Sequence, residues 1–313
     1  MNLENIFNML GGLGLFLFGI GEMSKSLKMF SGSLIEDIIK KFTTNKYIGV
    51  LVGFIITALI QSSSATTVIV VGLVNAGMMA LEQTVGVIMG ANVGTTVTSL
   101  IIAINLLGLA PIIIFIGAIL LSFKSNFLKS VGSVLTGFGI LFLGMNMMSK
   151  AAKPISRLPV IKEILMSFEN PFIGLLAGLV FTAIVQSSSV SIGILEALGL
   201  GGAISLWNAS FIIYGQNIGT CVTALIAAVG AGVTTKRTVA IHVLFNLVGA
   251  AIFTGITLFF PFLPFLEQIF PQNIMIQISA VHILFNLIST VLLLPFSNLL
   301  IKLSCKIVPE NKN

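Results

Sequence analysis

Long apolar stretches, each ended by a polar or charged segment, dominate the pattern of this sequence. We interpret seven of them as membrane crossings, for which an α-helix needs ~20 predominantly apolar residues. These crossings are predicted over residues 9–21, 83–104, 106–123, 131–148, 206–229, 238–260 and 274–301. Lipid admits only helices or closed barrels, and these runs are too long for barrel strands, so the pattern predicts an all-α polytopic membrane protein.

Two further apolar stretches are interrupted by a hydroxyl-rich motif. Residues 47–77 contain Gln-Ser-Ser-Ser at positions 61–64, and residues 171–199 contain the same motif at positions 186–189. Neither half of these stretches is long enough to cross a bilayer. Non-helical backbone is tolerated at membrane depth only where it lines a cavity, so each stretch predicts a re-entrant hairpin with the motif at its tip.

Two of the predicted crossings carry a polar motif of their own. Asn92-Val-Gly-Thr95 lies within residues 83–104, and Asn217-Ile-Gly-Thr220 lies within residues 206–229. The glycines predict that both crossings are broken helices. A separate amphipathic stretch, Leu34–Phe42, predicts a helix along the membrane surface.

The motifs recur because the sequence contains one unit twice. An offset of 125 positions pairs both serine motifs, both Asn-x-Gly-Thr motifs, and Thr98 with Thr223, with no gap between residues 14 and 103. Each unit holds three crossings, an odd number, so the second copy is predicted to insert upside down. We place the units at 1–130 and 131–262, with an additional C-terminal crossing and a basic tail at 263–313.

Composition and charge support this class and predict an orientation. Charged residues make up only 8% of the chain, against about 25% in soluble domains, and mean hydropathy is +1.11. The net charge of +6 is a loop property, so no nucleic-acid partner is expected. With the N-terminus outside, cytoplasmic loops hold twelve lysines and arginines and outer loops hold four. The positive-inside rule therefore favours a cell-membrane protein with an external N-terminus and a cytoplasmic C-terminus.

The motifs predict an anion site that also needs a cation. Serines suit helix starts, where free N–H groups and the positive end of the helix dipole attract anions. Amide and hydroxyl oxygens suit a hard cation such as Na⁺. No lysine or arginine occurs in either hairpin or broken helix. An uncompensated anion at this depth is very costly, so the sequence predicts cation-coupled anion transport.

Simpler interpretations stay open for several residues. Serine and threonine clusters in membrane helices often only join neighbouring helices. His242 and His282, each followed four residues later by asparagine, fit interhelical packing or gating. Glu196 fits a cation ligand, a gating residue or a satisfied acid at an aqueous boundary. No Gly-x-Ser-x-Gly or His-Glu-x-x-His motif occurs, so no enzyme is predicted.

The paired Gln-Ser-Ser-Ser motifs, each followed by Gly-x-Asn-(Ile/Val)-Gly-Thr, resemble those of the type II sodium/phosphate cotransporters. The resemblance covers roughly residues 10–290 and implies inorganic phosphate as substrate, Na⁺ as the coupling ion, and no organic cofactor. After the second motif, Val190-Ser191-Ile192-Gly193 departs from the hydroxyl-rich family pattern. Some bacterial relatives carry a PhoU-like domain after the last span, so a separate PhoU-like regulator is left open as a partner. A homodimer is also left open.

The resemblance also implies the site. Phosphate is expected between the tips, at Gln61, Ser62, Ser63, Ser64, Gln186, Ser187, Ser188 and Ser189. Na⁺ is expected at Gln61, Ser64, Thr66, Asn92, Thr95, Gln186, Ser189, Asn217 and Thr220. We therefore expect a sodium-coupled phosphate symporter that works by alternating access. Transport of another oxyanion, phosphate export, and a membrane oxyanion sensor that binds without translocating are the alternatives.

Overall fold

The structure, a computed structural model, describes residues 3–29, 39, 43, 45–104 and 106–310. These residues form α-helices, one short 3-10 helix and no strands. The all-α class predicted from the apolar pattern is therefore confirmed. Of the predicted surface helix Leu34–Phe42, all but Ile39 lies outside the described residues.

The helices are numbered in chain order within the described ranges. In the first half they are α1 (Leu3–Met29), α2 (Lys46–Ile60), α3 (Ser63–Asn75), α4 (Leu81–Ala103), the 3-10 helix Leu107–Leu109, α5 (Ala110–Leu121) and α6 (Asn126–Ser156). In the second half they are α7 (Pro159–Ser167), α8 (Pro171–Val185), α9 (Ser188–Leu200), α10 (Leu206–Gly219), α11 (Cys221–Ala227), α12 (Val233–Phe259), α13 (Phe262–Ile269), α14 (Ile274–Leu293) and α15 (Ser297–Ile307).

Six helical segments in the described residues are long and apolar enough to cross a membrane. They are α1, α4, α6, α12, α14, and α10 together with α11. The full-length span predicted over residues 106–123 is not formed. The apolar helix there, Leu107–Leu121, has fewer than 18 residues. It starts late because a 3-10 turn comes first and Pro111 then occupies the first turn of α5, where a missing N–H is tolerated.

The last predicted crossing also ends earlier than expected. It stops at Leu293, and a separate helix, α15, begins at Ser297. Pro295 lies between the two helices, and proline has no N–H with which to continue a helical ladder. The additional C-terminal crossing is therefore confirmed over Ile274–Leu293, and only its predicted end at residue 301 is wrong.

The prediction of broken crossings is also wrong for the first unit. Helix α4 runs without interruption through residues 90–96. Asn92 and Thr95 donate to carbonyl oxygens one turn earlier, at 2.9 and 3.1 Å, so their donor groups are satisfied inside the helix. In the second unit, α10 and α11 are separated only by Thr220, whose φ of −59° and ψ of −27° remain right-handed helical.

The glycines of these crossings permit close packing of helices instead of breaks. A Cβ added to Gly90 of α4 would overlap the carbonyl oxygen of Val50 in α2. A Cβ added to Gly215 of α10 would overlap the carbonyl oxygen of Leu175 in α8. Both members of the second pair lie 125 positions after those of the first. Each hairpin is therefore held against the Asn-x-Gly-Thr helix of its own unit in the same way.

The first helices of the two units also pack closely on each other. Gly12 of α1 lies against Gly144 of α6, and Gly19 of α1 lies against Gly137 of α6. The offset of 125 converts one pair into the other, as in a contact across a two-fold axis. Position numbers rise along α1 as they fall along α6, so the two equivalent helices run antiparallel. This supports the inverted relation of the units, which stays a prediction, as do the boundaries at 130 and 262.

An aromatic cluster fixes α10 against the last helices. The ring of Tyr214 in α10 stacks on Phe285 of α14 at 5.4 Å and contacts Phe253 of α12 at 5.8 Å between centroids. The hydroxyl groups of Tyr214 and Thr257 are 2.7 Å apart, so the buried phenol has a partner. The second Asn-x-Gly-Thr motif is thereby held on a rigid helix.

We expect Gly90→Ala to destabilise the protein by about 1–3 kcal/mol, the usual cost of overpacking, because the new methyl group would push α2 away from α4. Thermal unfolding of the purified protein in detergent measures the effect. The matched control is Gly255→Ala in α12, where an added Cβ meets nothing within 4 Å. Equal melting temperatures for the two variants would contradict the close packing.

The inverted arrangement predicts that the two hairpins enter from opposite sides. In a Cys221→Ser, Cys305→Ser background, an impermeant thiol reagent should reach Tyr47→Cys from the cytoplasm and Phe172→Cys from outside. Both native side chains are well exposed, at 59% and 72%, so both positions should react. Labelling of both from one side would mean that the units are parallel repeats.

Candidate functional site

The tip of the first hairpin is a helix–turn–helix junction made by two residues of the serine motif. Helix α2 ends at Gln61, which has a left-handed backbone with φ of 55°, and its N–H donates to the Thr57 carbonyl oxygen at 2.8 Å. Ser62 is extended, and its hydroxyl accepts from the N–H of Ala65 at 3.2 Å, which caps α3. The motif thus ends one half-helix and starts the next.

The second tip repeats this geometry. Gln186 has φ of 57° and donates its N–H to the Thr182 carbonyl oxygen at 2.7 Å, and Ser187 caps α9 by accepting from the N–H of Val190 at 3.3 Å. The two glutamines are two of the three non-glycine residues with positive φ in the described chain. A left-handed residue other than glycine costs roughly 1–2 kcal/mol, and such strain is typical of functional sites.

The structure brings the two tips together through Thr98 of α4. The Thr98 hydroxyl donates to Oε1 of Gln61 at 2.7 Å and accepts from the hydroxyl of Ser189 at 3.4 Å. In addition, the Ser64 hydroxyl donates to the backbone carbonyl oxygen of Gln186 at 3.4 Å. Motifs 125 positions apart in sequence therefore share one hydrogen-bonded cluster.

The predicted phosphate residues take different places in this cluster. Gln61, Ser64, Gln186 and Ser189 belong to the contacts between the tips. Ser62 and Ser187 are the capping residues of α3 and α9. Ser63 and Ser188 are the first residues of those helices and are buried. All eight therefore lie at the two tips.

The predicted Na⁺ residues outside the serine motifs are buried and bonded locally. The hydroxyl oxygens of Thr66 and Thr57 are 2.8 Å apart and share a hydrogen bond. Asn92, Thr95, Asn217 and Thr220 each donate to a carbonyl oxygen one turn earlier, with matching partners in the two units. Within the described residues, no side-chain hydrogen bond joins these four to the tips.

The two tips differ in how closed they are. Gln61 is only 7% exposed and is bonded to Thr98, whereas Gln186 is exposed. Thr223, the equivalent of Thr98, has a buried hydroxyl with no partner among the described residues. The first tip is therefore closed by a side-chain hydrogen bond that the second tip lacks.

The three predicted gating residues are buried, and none has a hydrogen bond to the serine motifs among the described residues. Glu196 is fully buried and accepts from the hydroxyl of Ser99 at 2.7 Å, so it is not an acid at an aqueous boundary. The carbonyl oxygens of His242 and His282 each accept from the asparagine side chain four residues later, at 3.0 and 2.9 Å. Neither histidine has a hydrogen bond to the serine motifs in the part of the chain that the structure describes.

Comparison with known families assigns this arrangement. The profile of the Na⁺/Pi-cotransporter family matches residues 15–150 and 158–268, which include both hairpins and both Asn-x-Gly-Thr helices. The chain belongs to the Na⁺/Pi-cotransporter family. This is a transporter family and not an enzyme family, which confirms the prediction made from the motifs.

Individual relatives of this cotransporter-family chain differ in how much they share with it. It is 36% identical over 300 residues to the uncharacterized protein YqeW of Bacillus subtilis, covering 94% of this chain and 95% of YqeW. It is 25% identical to YjbB of Salmonella typhimurium, provisionally named as an inorganic phosphate export protein, over 97% of this chain and 56% of YjbB. The sodium-dependent phosphate transport protein 2A of Rattus norvegicus is 37% identical over 31% of this chain and 15% of its own length. No solved structure gives a significant match.

Sequence reasoning assigned no role to Thr98 or Ser99. The only signal for Thr98 was its pairing with Thr223 in the repeat, and Ser99 gave none. Both side chains act across helices, Thr98 toward the tips and Ser99 toward Glu196. Such contacts depend on how α4 packs between the hairpins, which no local pattern reports.

The convergence of the tips predicts a specific crosslink. In a background without native cysteines, the pair Ser64→Cys and Gln186→Cys should be joined by a short bifunctional thiol reagent, because Ser64 touches the Gln186 backbone. The pair Ser64→Cys and Ser122→Cys, which uses an exposed serine at the end of α5, is the control. A change in mobility on denaturing gels measures the crosslink. Equal crosslinking yields from both pairs would contradict the contact between the two tips.

Proposed function

We propose that this chain is a sodium-coupled symporter of inorganic phosphate that works by alternating access. The observation that carries the proposal is the Thr98 hydroxyl, which links Gln61 of one serine motif to Ser189 of the other. Two half-helix starts thereby face one common site, as expected where inverted repeats meet in a transporter. Further support comes from the N–H groups and oxygen atoms near each tip and from the absence of lysine and arginine around them.

Phosphate binding is supported by the free ends of α3 and α9. The first N–H groups of a helix have no partner within the helix, and together with the dipole they attract anions. Ser62 and Ser187 each satisfy one such N–H group, three residues later. The N–H groups of the two residues after each cap, with the hydroxyls of Ser63 and Ser188, are left to bind phosphate oxygens. The hydroxyls of Ser64 and Ser189 already donate between the tips. We assign phosphate to residues 61–64 and 186–189 on this basis.

Na⁺ binding is supported by the chemistry of the Asn-x-Gly-Thr residues. Asn92 and Asn217 each use Nδ2 in the intrahelical hydrogen bond, which leaves Oδ1, the atom that binds cations, outside that bond. Thr95 and Thr220 donate their hydroxyl protons, so their oxygen lone pairs remain for a cation. The donor set is oxygen only, which fits a hard cation.

Coupling is supported by the absence of fixed positive charge. Residues 47–123 and 163–235, which hold both hairpins and both Asn-x-Gly-Thr motifs, contain no lysine or arginine. A phosphate anion bound there needs compensating charge, because desolvating an isolated ion is very costly. Na⁺ entering the same site supplies this charge, so binding of each ion should favour the other.

Alternation is supported by the difference between the tips. The Gln61–Thr98 hydrogen bond closes the first tip, whereas Gln186 is exposed and Thr223 has no partner among the described residues. We infer that opening the first tip breaks the Gln61–Thr98 bond and that closing the second forms its counterpart, Gln186–Thr223. The duplicated sequence supplies an equivalent glutamine–threonine pair at each tip, as exchange between two access states of inverted repeats requires.

Uptake of labelled phosphate into proteoliposomes tests the proposal. An inward Na⁺ gradient should drive accumulation, because the two ions compensate each other's charge, and an equal choline gradient should not. The name of YjbB makes export the second candidate direction. Efflux driven by an outward Na⁺ gradient, without uptake in the reverse case, would favour export. Phosphate binding without flux under any gradient would contradict transport and favour a sensor.

We expect Gln61→Ala and Gln186→Ala each to reduce Na⁺-driven phosphate uptake at least tenfold, since a lost hydrogen bond to a charged group costs about 1.5–3 kcal/mol. The control is Gln268→Ala, an exposed glutamine on α13. Size-exclusion chromatography establishes that each variant is folded. Full uptake by both tip variants would show that the site lies elsewhere.

A further inference from the structure

One acidic side chain in the membrane-spanning part of the chain is buried without full compensation. Glu196 of α9 has no exposed surface. Its Oε1 accepts from the hydroxyl of Ser99 at 2.7 Å, and its Oε2 is buried with no hydrogen-bond partner among the described residues. Intramembrane acids are rare and costly, and they usually serve ion or proton pathways.

The position of Glu196 connects it to the tips. Ser189 and Glu196 are seven residues apart on α9, which places them on one face of the helix. Both contact α4, where their partners, Thr98 and Ser99, are consecutive. One seam between α9 and α4 therefore carries the contact between the tips at one end and the buried acid about two turns away.

No basic residue neutralises this acid within the described chain. Helix α9 packs against α1, α4, α6, α8, α10 and α14. The titratable groups on those helices whose side chains the structure describes are Glu4, Glu22 and Lys25 on α1, Glu82 on α4, Lys129, Lys150 and Lys153 on α6, Tyr214 on α10 and His282 on α14. None of them forms an ion pair with Glu196 within 4.0 Å in the described residues, and the three lysines of α6 are exposed.

We propose that the Glu196 carboxylate, whose other oxygen is held by Ser99, binds a monovalent cation, either Na⁺ or a proton. A buried carboxylate without a counter-charge is strongly penalised, and the Ser99 hydroxyl occupies only one of its two oxygens. One monovalent cation at the free Oε2 neutralises the acid, whereas a divalent ion would leave excess positive charge. The described residues contain no group of three His, Cys, Asp or Glu side chains that would suit a heavier metal.

The site adds a second cation position to the proposed function. It lies on the same α9–α4 seam as the tips, so a cation bound there would stabilise the contact between the second hairpin and α4. Its link to transport rests on the proposed symport, but cation binding itself does not. The test therefore uses the purified protein and needs no flux.

Thermal unfolding of the full chain in detergent, with Glu196→Gln and the control Glu267→Gln, gives the test. Glutamine keeps the shape of the side chain and removes the charge, and Glu267 is an exposed acid on α13. One arm titrates NaCl against choline chloride at constant ionic strength and neutral pH. The other arm varies pH in choline alone, where the proton is the only small cation that can neutralise the acid.

Each arm has an expected result. If the site takes Na⁺, NaCl raises the melting temperature of the native protein and of Glu267→Gln, and Glu196→Gln loses at least part of this shift. If it takes a proton, the native protein in choline becomes more stable relative to Glu196→Gln as pH falls and less stable as pH rises, because only the protonated acid is neutral. A Glu196→Gln protein that follows the native protein in both arms overturns the proposal.

Ser99→Ala keeps the test decisive if Glu196→Gln does not fold. Without the serine hydroxyl, neither carboxylate oxygen has a hydrogen-bond donor, so the bound cation contributes more to stability. In whichever arm the native protein shows a shift in melting temperature, Ser99→Ala should therefore show a larger one. An unchanged shift would count against the site. If the native protein shows the expected shifts in melting temperature but takes up no phosphate in proteoliposomes, the proposed symport is refuted and the cation site is retained.

Discussion

Backbone polar groups at membrane depth must find partners, and the two hairpin tips meet this constraint with the same pair of residues. A left-handed glutamine ends one half-helix while its N–H still bonds within that helix, and a serine caps the next. The strained glutamine is therefore adjacent to the first turn of the following helix, whose first N–H groups have no partner within the helix. The tip is therefore a structural junction that the other helices hold in place, and the same geometry is the basis of the anion site proposed there.

Close packing at glycine brings these tips to one another. Gly90 and Gly215 let each hairpin lie directly against the Asn-x-Gly-Thr helix of its unit. The reciprocal glycine contacts join α1 and α6, the first helices of the two units, as an antiparallel pair of helices. With both units fixed in this way, the single hydroxyl of Thr98 can reach both serine motifs.

Missing positive charge connects the phosphate site and the buried acid. Residues 47–123 and 163–235 carry neither lysine nor arginine, so phosphate bound at the proposed site needs a mobile cation. Glu196 sets the same requirement from within the protein, since Ser99 satisfies only one of its oxygens. In the proposed mechanism, the bound phosphate and the Glu196 carboxylate are two anionic groups on one helical seam, and both require a cation.

The sequence by itself determined the helical membrane class, the duplication and the positions of both tips, because hydropathy and repeated motifs are local properties. It failed where neighbours decide the outcome. Glycines predicted to break α4 instead accommodate α2, and Asn92 and Thr95 bond within a continuous helix. Only the tertiary structure identified Thr98 as the link between the motifs and buried Glu196 beside Ser99. Those contacts join residues 37 to 97 positions apart, and only helix packing can bring them within hydrogen-bonding distance.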